Sequence, residues 1–253
     1  MKIQLVVRER PELKDPIVIC GLPGSAFVGK FAVDHLIGEL SAKPLAEIYS
    51  DGFPPQIFVK EDGLVSLMRN DLYYWKNKEG ARDLILFTGD SQPTEAESEY
   101  LLSENVVDFA MDEHKARELI TLGAYVTGAY TENSRVFAAA TDVSHAKKIE
   151  EMGCSMMNEG GITGMNGLLL GIAKLKGMTG YTLLGETSGY VFDAKASESI
   201  LTTLGKIIDV RVDPGKLEQR AKEAQEVLNA IDRMRGHQNP QQSPVKKRLD
   251  YIS

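Results

Sequence analysis

Short apolar runs alternate with longer stretches of helical periodicity along the 253-residue chain. Ile3–Val7 and residues 16–20 read as strands, and residues 25–40 read as a helix. A β-rich block follows, with strands expected at 45–49, 56–60, 64–69 and 72–75. Asp51-Gly52, Asp62-Gly63 and Asn70-Asp71 supply turn signals between them. The last two strands are expected to form a hairpin about Asn70-Asp71, carrying the aromatics Tyr73, Tyr74 and Trp75. "DLILFTGD", residues 83–90, is apolar almost throughout, the mark of a strand covered on both faces. A helix is expected over 94–114, opened by a capping box from Thr94 to Glu97. Strands at 124–130 and 136–141, a helix at 142–152, a glycine-bearing helix at 164–177 and a strand at 181–187 come next. Helices at 194–208 and 214–235 close the pattern. Strands alternating with helices imply one mixed α/β domain over residues 1–235, its mostly parallel sheet covered on both faces.

Two features lie past that core. Leu217, Ala221, Ala224, Leu228 and Ile231 step by four and three, a heptad-like seam suited to a partner subunit or to the helix's own domain. Residues 236–244, "GHQNPQQSP", are polar and without period, so a flexible linker is expected there. The tip, "VKKRLDYIS", regains apolar character at Val245, Leu249, Tyr251 and Ile252, behind the basic Lys246, Lys247 and Arg248. A flexible chain with an apolar, aromatic tip and a carboxylate at Ser253 is built like a docking peptide. The 18 residues after Arg235 reach up to ~60 Å when extended.

Composition narrows the classes. Hydrophobic residues make up 43% and charged residues 26% of the chain, ordinary globular values. The net charge of −7, with no basic stripe, argues against broad nucleic-acid binding. No apolar run approaches the ~20 residues of a membrane helix, and the first residues lack the pattern of a signal peptide. Cys20 and Cys154 form no C-x-x-C pair and read as buried thiols in a reducing cytoplasm. His35, His114, His145 and His237 have no metal-ligand spacing. Neither a metal nor a cofactor is expected.

Candidate chemistry gathers at glycines and strand ends. "GLPGSAFVGK", residues 21–30, contains G-x-x-x-x-G-K from Gly24, half of a phosphate-binding loop. Phe31 stands where that loop needs Ser or Thr, Pro23 lacks an N–H, and Ala26, Phe27 and Val28 are apolar. These features favour architecture: Gly21 and Gly24 for a tight turn, Gly29 for close helix–sheet approach, and Lys30 toward solvent. Asp90 and Glu186 end strands, where α/β folds do chemistry, although each also suits a cap or an ion pair. "GGITGMNG", residues 160–167, is a second glycine cluster, with Asn166 its strongest hydrogen-bonding side chain. Gly21, Gly24, Asp90, Asn166 and Glu186 therefore define a candidate crevice for a small-molecule enzyme of phosphorylase or ligase type. No G-x-S-x-G elbow or Ser/His/Asp set is present.

"GLPGSAFVGKFAVDHLIGEL", "IYSDGFPP", "LILFTGDSQP", "GAYVTGAYTE" and "GGITGMNGLLLGIAKLKGMTGYTLLGET", in this order, resemble the archaeal branch of the proteasome assembly chaperone family, from about residue 14 to residue 230. Related chains are sometimes labelled ATP-grasp-like or carboxylate-amine ligases. The resemblance implies a three-layer αβα fold similar to the phosphorylase/hydrolase-like group, no established enzymatic activity, and a homo-oligomer, a trimer or tetramer. It also implies 20S proteasome α subunits as partners, bound through a tail ending hydrophobic–Tyr–X whose carboxylate meets a lysine. Leu249, Tyr251, Ile252 and Ser253 are the matching positions here. The ending departs from that pattern: Tyr251 is third from the end, and Ile252 holds the tyrosine's place without a phenol hydroxyl.

Overall fold

In the computed structural model, residues 2–59, 62–80, 82–128, 133–189, 192–213, 215, 217 and 219 are described. Most of the helix expected at 214–235, the linker and the docking tail with Leu249, Tyr251, Ile252 and Ser253 lie outside the described residues.

The described strands are β1 (Ile3–Val7), β2 (Ile17–Cys20), β3 (Lys43–Ser50), β4 (Ile57–Val59), β5 (Val65–Leu67), β6 (Asn70–Trp75), β7 (Leu84–Gly89), β8 (Glu118–Val126), β9 (Val136–Ala140), β10 (Ser155–Met156) and β11 (Thr179–Thr187). Between them run the helices α1 (Val28–Glu39), α2 (Ala96–Asp108), α3 (Val143–Glu151), α4 (Gly164–Leu175) and α5 (Ala194–Ile208). Nine strands form one sheet in the order β1-β3-β6-β7-β2-β8-β11-β9-β10, while β4 and β5 pair only with each other. β7, β2, β8 and β11 are mutually parallel at its centre. β3 runs in their direction through the antiparallel β6, so the sheet is mixed with a parallel heart.

Period-two alternation divides these strands between two cores. Val18, Cys20, Ile85 and Phe87 face α2 and α4, meeting Leu102, Val106, Met165 and Leu169. Ile17, Ile19, Leu84 and Leu86 face the other way, against Val33 and Leu36 of α1, Ile149 of α3, and Ile200 and Leu204 of α5. The result is the expected three-layer α/β/α arrangement. Leu217, the first member of the heptad-like seam, is buried in this second core. At that position the seam packs back on its own domain.

Three local expectations are corrected. Asn70-Asp71 is not a turn: both residues open β6, which is paired with β3 on one side and β7 on the other. The hairpin instead joins β4 to β5 around Asp62-Gly63, where Gly63 has φ +76° and Asp62 accepts a hydrogen bond from the Leu64 amide at 3.0 Å. Glycine meets the positive φ of that turn at no steric cost, which Asn-Asp would not. The first helix starts at Val28 because residues Ser25–Phe27 form a 3-10 turn with Ala26 and Phe27 at φ 52° and 55°. The capping box also does not form. Glu95 caps α2 without a side-chain bond, and the Thr94 amide donates to Gly52 O at 3.1 Å.

Candidate functional site

β2 leaves the sheet toward β3 and its neighbour β8 leaves toward β9, so their C-terminal ends diverge. Divergent exits from adjacent parallel strands open a crevice. A cavity of about 470 Å³ lies there. One wall is the turn with Gly24 and Ser25, another the end of β8 with Gly123 and Tyr125, and the third the second glycine cluster with Glu159 to Asn166.

Gln92 holds the two glycine loops together. Its amide nitrogen donates to Pro23 O at 2.6 Å, and its amide oxygen accepts from the Met165 backbone N–H at 2.7 Å. That second bond satisfies one of the amides left free at the start of α4, whose residue Thr163 provides no side-chain cap. Asn166 sits one residue further on; its Oδ1 is buried with no hydrogen-bond partner. Gln92→Ala is expected to open the wall between the loops without unfolding the sheet. Faster hydrogen exchange at the Met165 amide would register it, and unchanged protection there would contradict the bridging role.

The structure brings together only part of the predicted crevice. Gly24 and Asn166 line the cavity. Gly21 lies beneath it, so tight that an added Cβ would stand 2.1 Å from Gly29 O. Asp90 is on the other side of the β7 end, where its Oδ2 accepts from the Arg69 amide at 3.0 Å. Glu186 is turned toward β9 and is held by Arg135 in two bonds of 2.8 and 2.9 Å. Neither acid faces the cavity. Lys30, expected in solvent, is half-buried: its Nζ is 3.0 Å from Asp34 and 3.4 Å from the hydroxyl of Thr88. It is directed away from the glycine turn, so the half-motif of a phosphate loop supplies no cation to the cavity.

The Arg135 guanidinium, through its hydrogen bonds first, holds the Glu186 carboxyl below the usual glutamate range. A depressed folded-state pKa gives stability that is present above the unfolded value and lost as pH falls through the folded one. Arg135→Ala is therefore expected to move the start of acid unfolding to higher pH. An acid titration followed by circular dichroism checks this, and an unchanged acid limb would refute it.

Burial raises the thiol pKa of both Cys20 and Cys154, and each is free. A protonated, buried thiol is a poor nucleophile. Among the described residues, no group of three or more His, Cys, Asp and Glu is placed to hold a metal ion. No described helix is long and apolar enough to cross a membrane.

Residues 18–232 match the PAC2 family, and the chain belongs to that family. It is 32% identical over 226 residues to the uncharacterized protein MJ1210 of Methanocaldococcus jannaschii, covering 89% of this chain and 86% of the relative. The crystal structure of Pyrococcus furiosus PbaB, described as an archaeal proteasome activator, is similar with a TM-score of 0.82 and 40% identity, over 91% of this chain and 98% of that one. Pyrococcus furiosus PbaA, described as an archaeal homolog of proteasome-assembly chaperone, is similar with a TM-score of 0.75 and 26% identity, over 91% and 96% of the two chains. The family resemblance carried by the glycine-rich segments therefore holds across the whole domain.

Proposed function

We propose that this chain is a non-enzymatic assembly chaperone or adaptor of the proteasome, working in the cytoplasm as a homo-oligomer. It binds 20S α subunits through Leu249, Tyr251, Ile252 and the Ser253 carboxylate, carried on the linker at 236–244. The observation that carries this reading is the 40% identity, over nine-tenths of the chain, to a protein described as an archaeal proteasome activator. The cavity supports it indirectly: the two acids expected to do chemistry, Asp90 and Glu186, are engaged elsewhere. Several tails on one oligomer reinforce one another, because each bound tail raises the effective concentration of the next.

The test is a pull-down of archaeal 20S α subunits with the full chain and with a chain ending at Asp250. Binding lost on truncation supports tail docking; equal binding moves the interface to the folded domain. Binding by neither overturns the reading and leaves the small-molecule alternative, for which the 470 Å³ cavity is the specific observation. In that case ATP, phosphate or a nucleoside raises the melting temperature, since a ligand of the native state stabilises it.

A further inference from the structure

A second hollow lies at the opposite end of the parallel strands from the glycine cavity. β6 ends at Trp75, paired with Leu84 at the start of β7. A pocket of about 640 Å³ opens between the loop that follows Trp75 and the end of α5. Its floor is apolar: Leu40, Trp75 and Val210 line it, and each packs against the second core. Its rim is charged, with Lys76 and Lys78 from the loop and Arg211 from the chain beyond α5. An adjoining hollow of about 350 Å³ shares Arg211 and adds Lys206.

Local structure sets this rim. The Oδ1 of Asn77 accepts from the amides of Glu79 at 3.2 Å and Gly80 at 2.7 Å, and the Asn77 amide donates to Asp83 Oδ1 at 2.9 Å. A loop tied in this way holds Lys76 and Lys78 on either side of one anchored residue. Opposite, Asp209 closes α5 in the left-handed conformation at φ 52°, and the Val210 amide returns to Gly205 O at 3.0 Å. That turn brings Val210 onto the floor and Arg211 onto the rim.

The rim cations are unpaired. Arg8, Arg69, Arg82, Arg135 and Lys176 each hold a carboxylate in an ion pair. Among the described residues, Lys76, Lys78, Lys206 and Arg211 hold none, not even the pocket's own acids, Glu79 and Asp209. In a chain of net charge −7, this is a local excess of positive charge around an apolar floor.

The complement of such a surface is an acidic peptide with an apolar residue among its carboxylates. Trp and Arg are enriched where a partner's side chain is anchored. Here the floor takes the apolar anchor, and the rim cations take carboxylates beside it in charge-assisted hydrogen bonds. A nucleic acid fits less well: its affinity comes from many phosphate contacts, and two acids stand among the few cations here. A lone phosphate needs cations gathered at one point, whereas these come from two segments on either side of the pocket.

We propose that the pocket between the β6–β7 loop and the end of α5 docks an acidic, apolar-anchored peptide segment of a partner protein. The site belongs to the folded domain, and the proposal does not rest on where the tail docks.

Trp75 is the only tryptophan of the chain, so its fluorescence reports this pocket directly. The experiment titrates the full chain at low salt with a short, tryptophan-free peptide of Glu and Leu and follows Trp75 emission. A saturable change is expected, absent with a peptide that carries Lys in place of Glu. Lys76→Glu/Lys78→Glu is expected to weaken binding by about tenfold or more, the scale of lost charge-assisted bonds. Arg211→Ser should weaken it in the same direction. The replaced side chains are exposed, so the melting temperature of both variants should stay the same. No saturable change overturns the proposal. Binding that survives Lys76→Glu/Lys78→Glu also overturns it, and would place the peptide on the basic residues Lys246, Lys247 and Arg248 instead. Tighter binding of a single-stranded oligonucleotide, or displacement of the peptide by millimolar inorganic phosphate at constant ionic strength, overturns it in favour of a nucleic-acid or small-anion site. The titration is read on Trp75 alone, so its outcome is separate from that of the 20S pull-down.

Discussion

Gly29→Ala is expected to cost about 3 kcal/mol of stability, the upper range for overpacking a core. Gly29 is where α1 crosses β8, and a Cβ there would stand 2.2 Å from the carbonyl oxygen of Leu122. The Leu122 carbonyl and the Gly123 nitrogen beyond it are backbone atoms, so no side chain can swing away. Relief requires lifting α1 off the sheet, which loosens Val28, Ala32, Val33 and Leu36, all fully buried. For a domain of this size the melting temperature should fall by roughly 6–12 °C. Gly24→Ala is the internal control: Gly24 is extended at φ −166°, and its added Cβ would meet nothing closer than 3.8 Å. A small shift for Gly24→Ala beside a large one for Gly29→Ala would establish the motif glycine as a packing device. Equal, small shifts would remove that explanation.

The second large effect belongs to the tail. In the proposed homo-oligomer, ending the chain at Asp250 removes Tyr251, Ile252 and the carboxylate of Ser253 from each copy. Avidity multiplies a weak single-site affinity by about 10²–10⁴, so deleting the site should reduce 20S binding at least 100-fold while the melting temperature stays the same. Ile252→Tyr should act in the opposite direction, placing a phenol hydroxyl second from the end. One added hydrogen bond contributes ~1 kcal/mol, about fivefold to tenfold in affinity per tail. Surface binding assays on both variants measure the two effects. Weaker binding by Ile252→Tyr would mean that this tail uses its own geometry rather than that of the family ending.

Legibility in the sequence followed the range of the forces involved. β7 was plain because every residue from Leu84 to Gly89 is buried, and such a strand has no polar face to disguise it. α5 was readable to the residue because apolar positions recur every three to four along one buried stripe: Ala196, Ile200, Leu201, Leu204 and Ile208. Asn70 misled because its carboxamide is buried in a strand, packed against the place a Gly89 side chain would fill. Local composition there reads as a turn, and tertiary pairing overrides it.

The cavity divides in the same way. Glycine clusters mark close backbone approach wherever they occur, so Gly24 and Asn166 were found. Gln92 was not, because its two partners lie 69 and 73 residues away in the chain. Asp90 and Glu186 were placed correctly at strand ends, but a strand-end position does not say which side of the sheet the carboxylate serves. Arg135 and the Arg69 backbone decide that, and both come from other strands or loops.

The central position of β2 has a consequence for the birth of the chain. Ile17–Cys20 is fully buried between β7 and β8, pairing with Leu84–Phe87 on one side and with Glu118 to Thr121 on the other. At ribosomal speed the second of those neighbours emerges about 5–20 s after Cys20 does. Throughout that interval an aliphatic strand with two bare edges waits outside the ribosome, and non-local pairing of this kind folds slowly. A protein proposed to assist the assembly of others thus carries, in β2, a strand that must itself wait for a distant partner before it is covered.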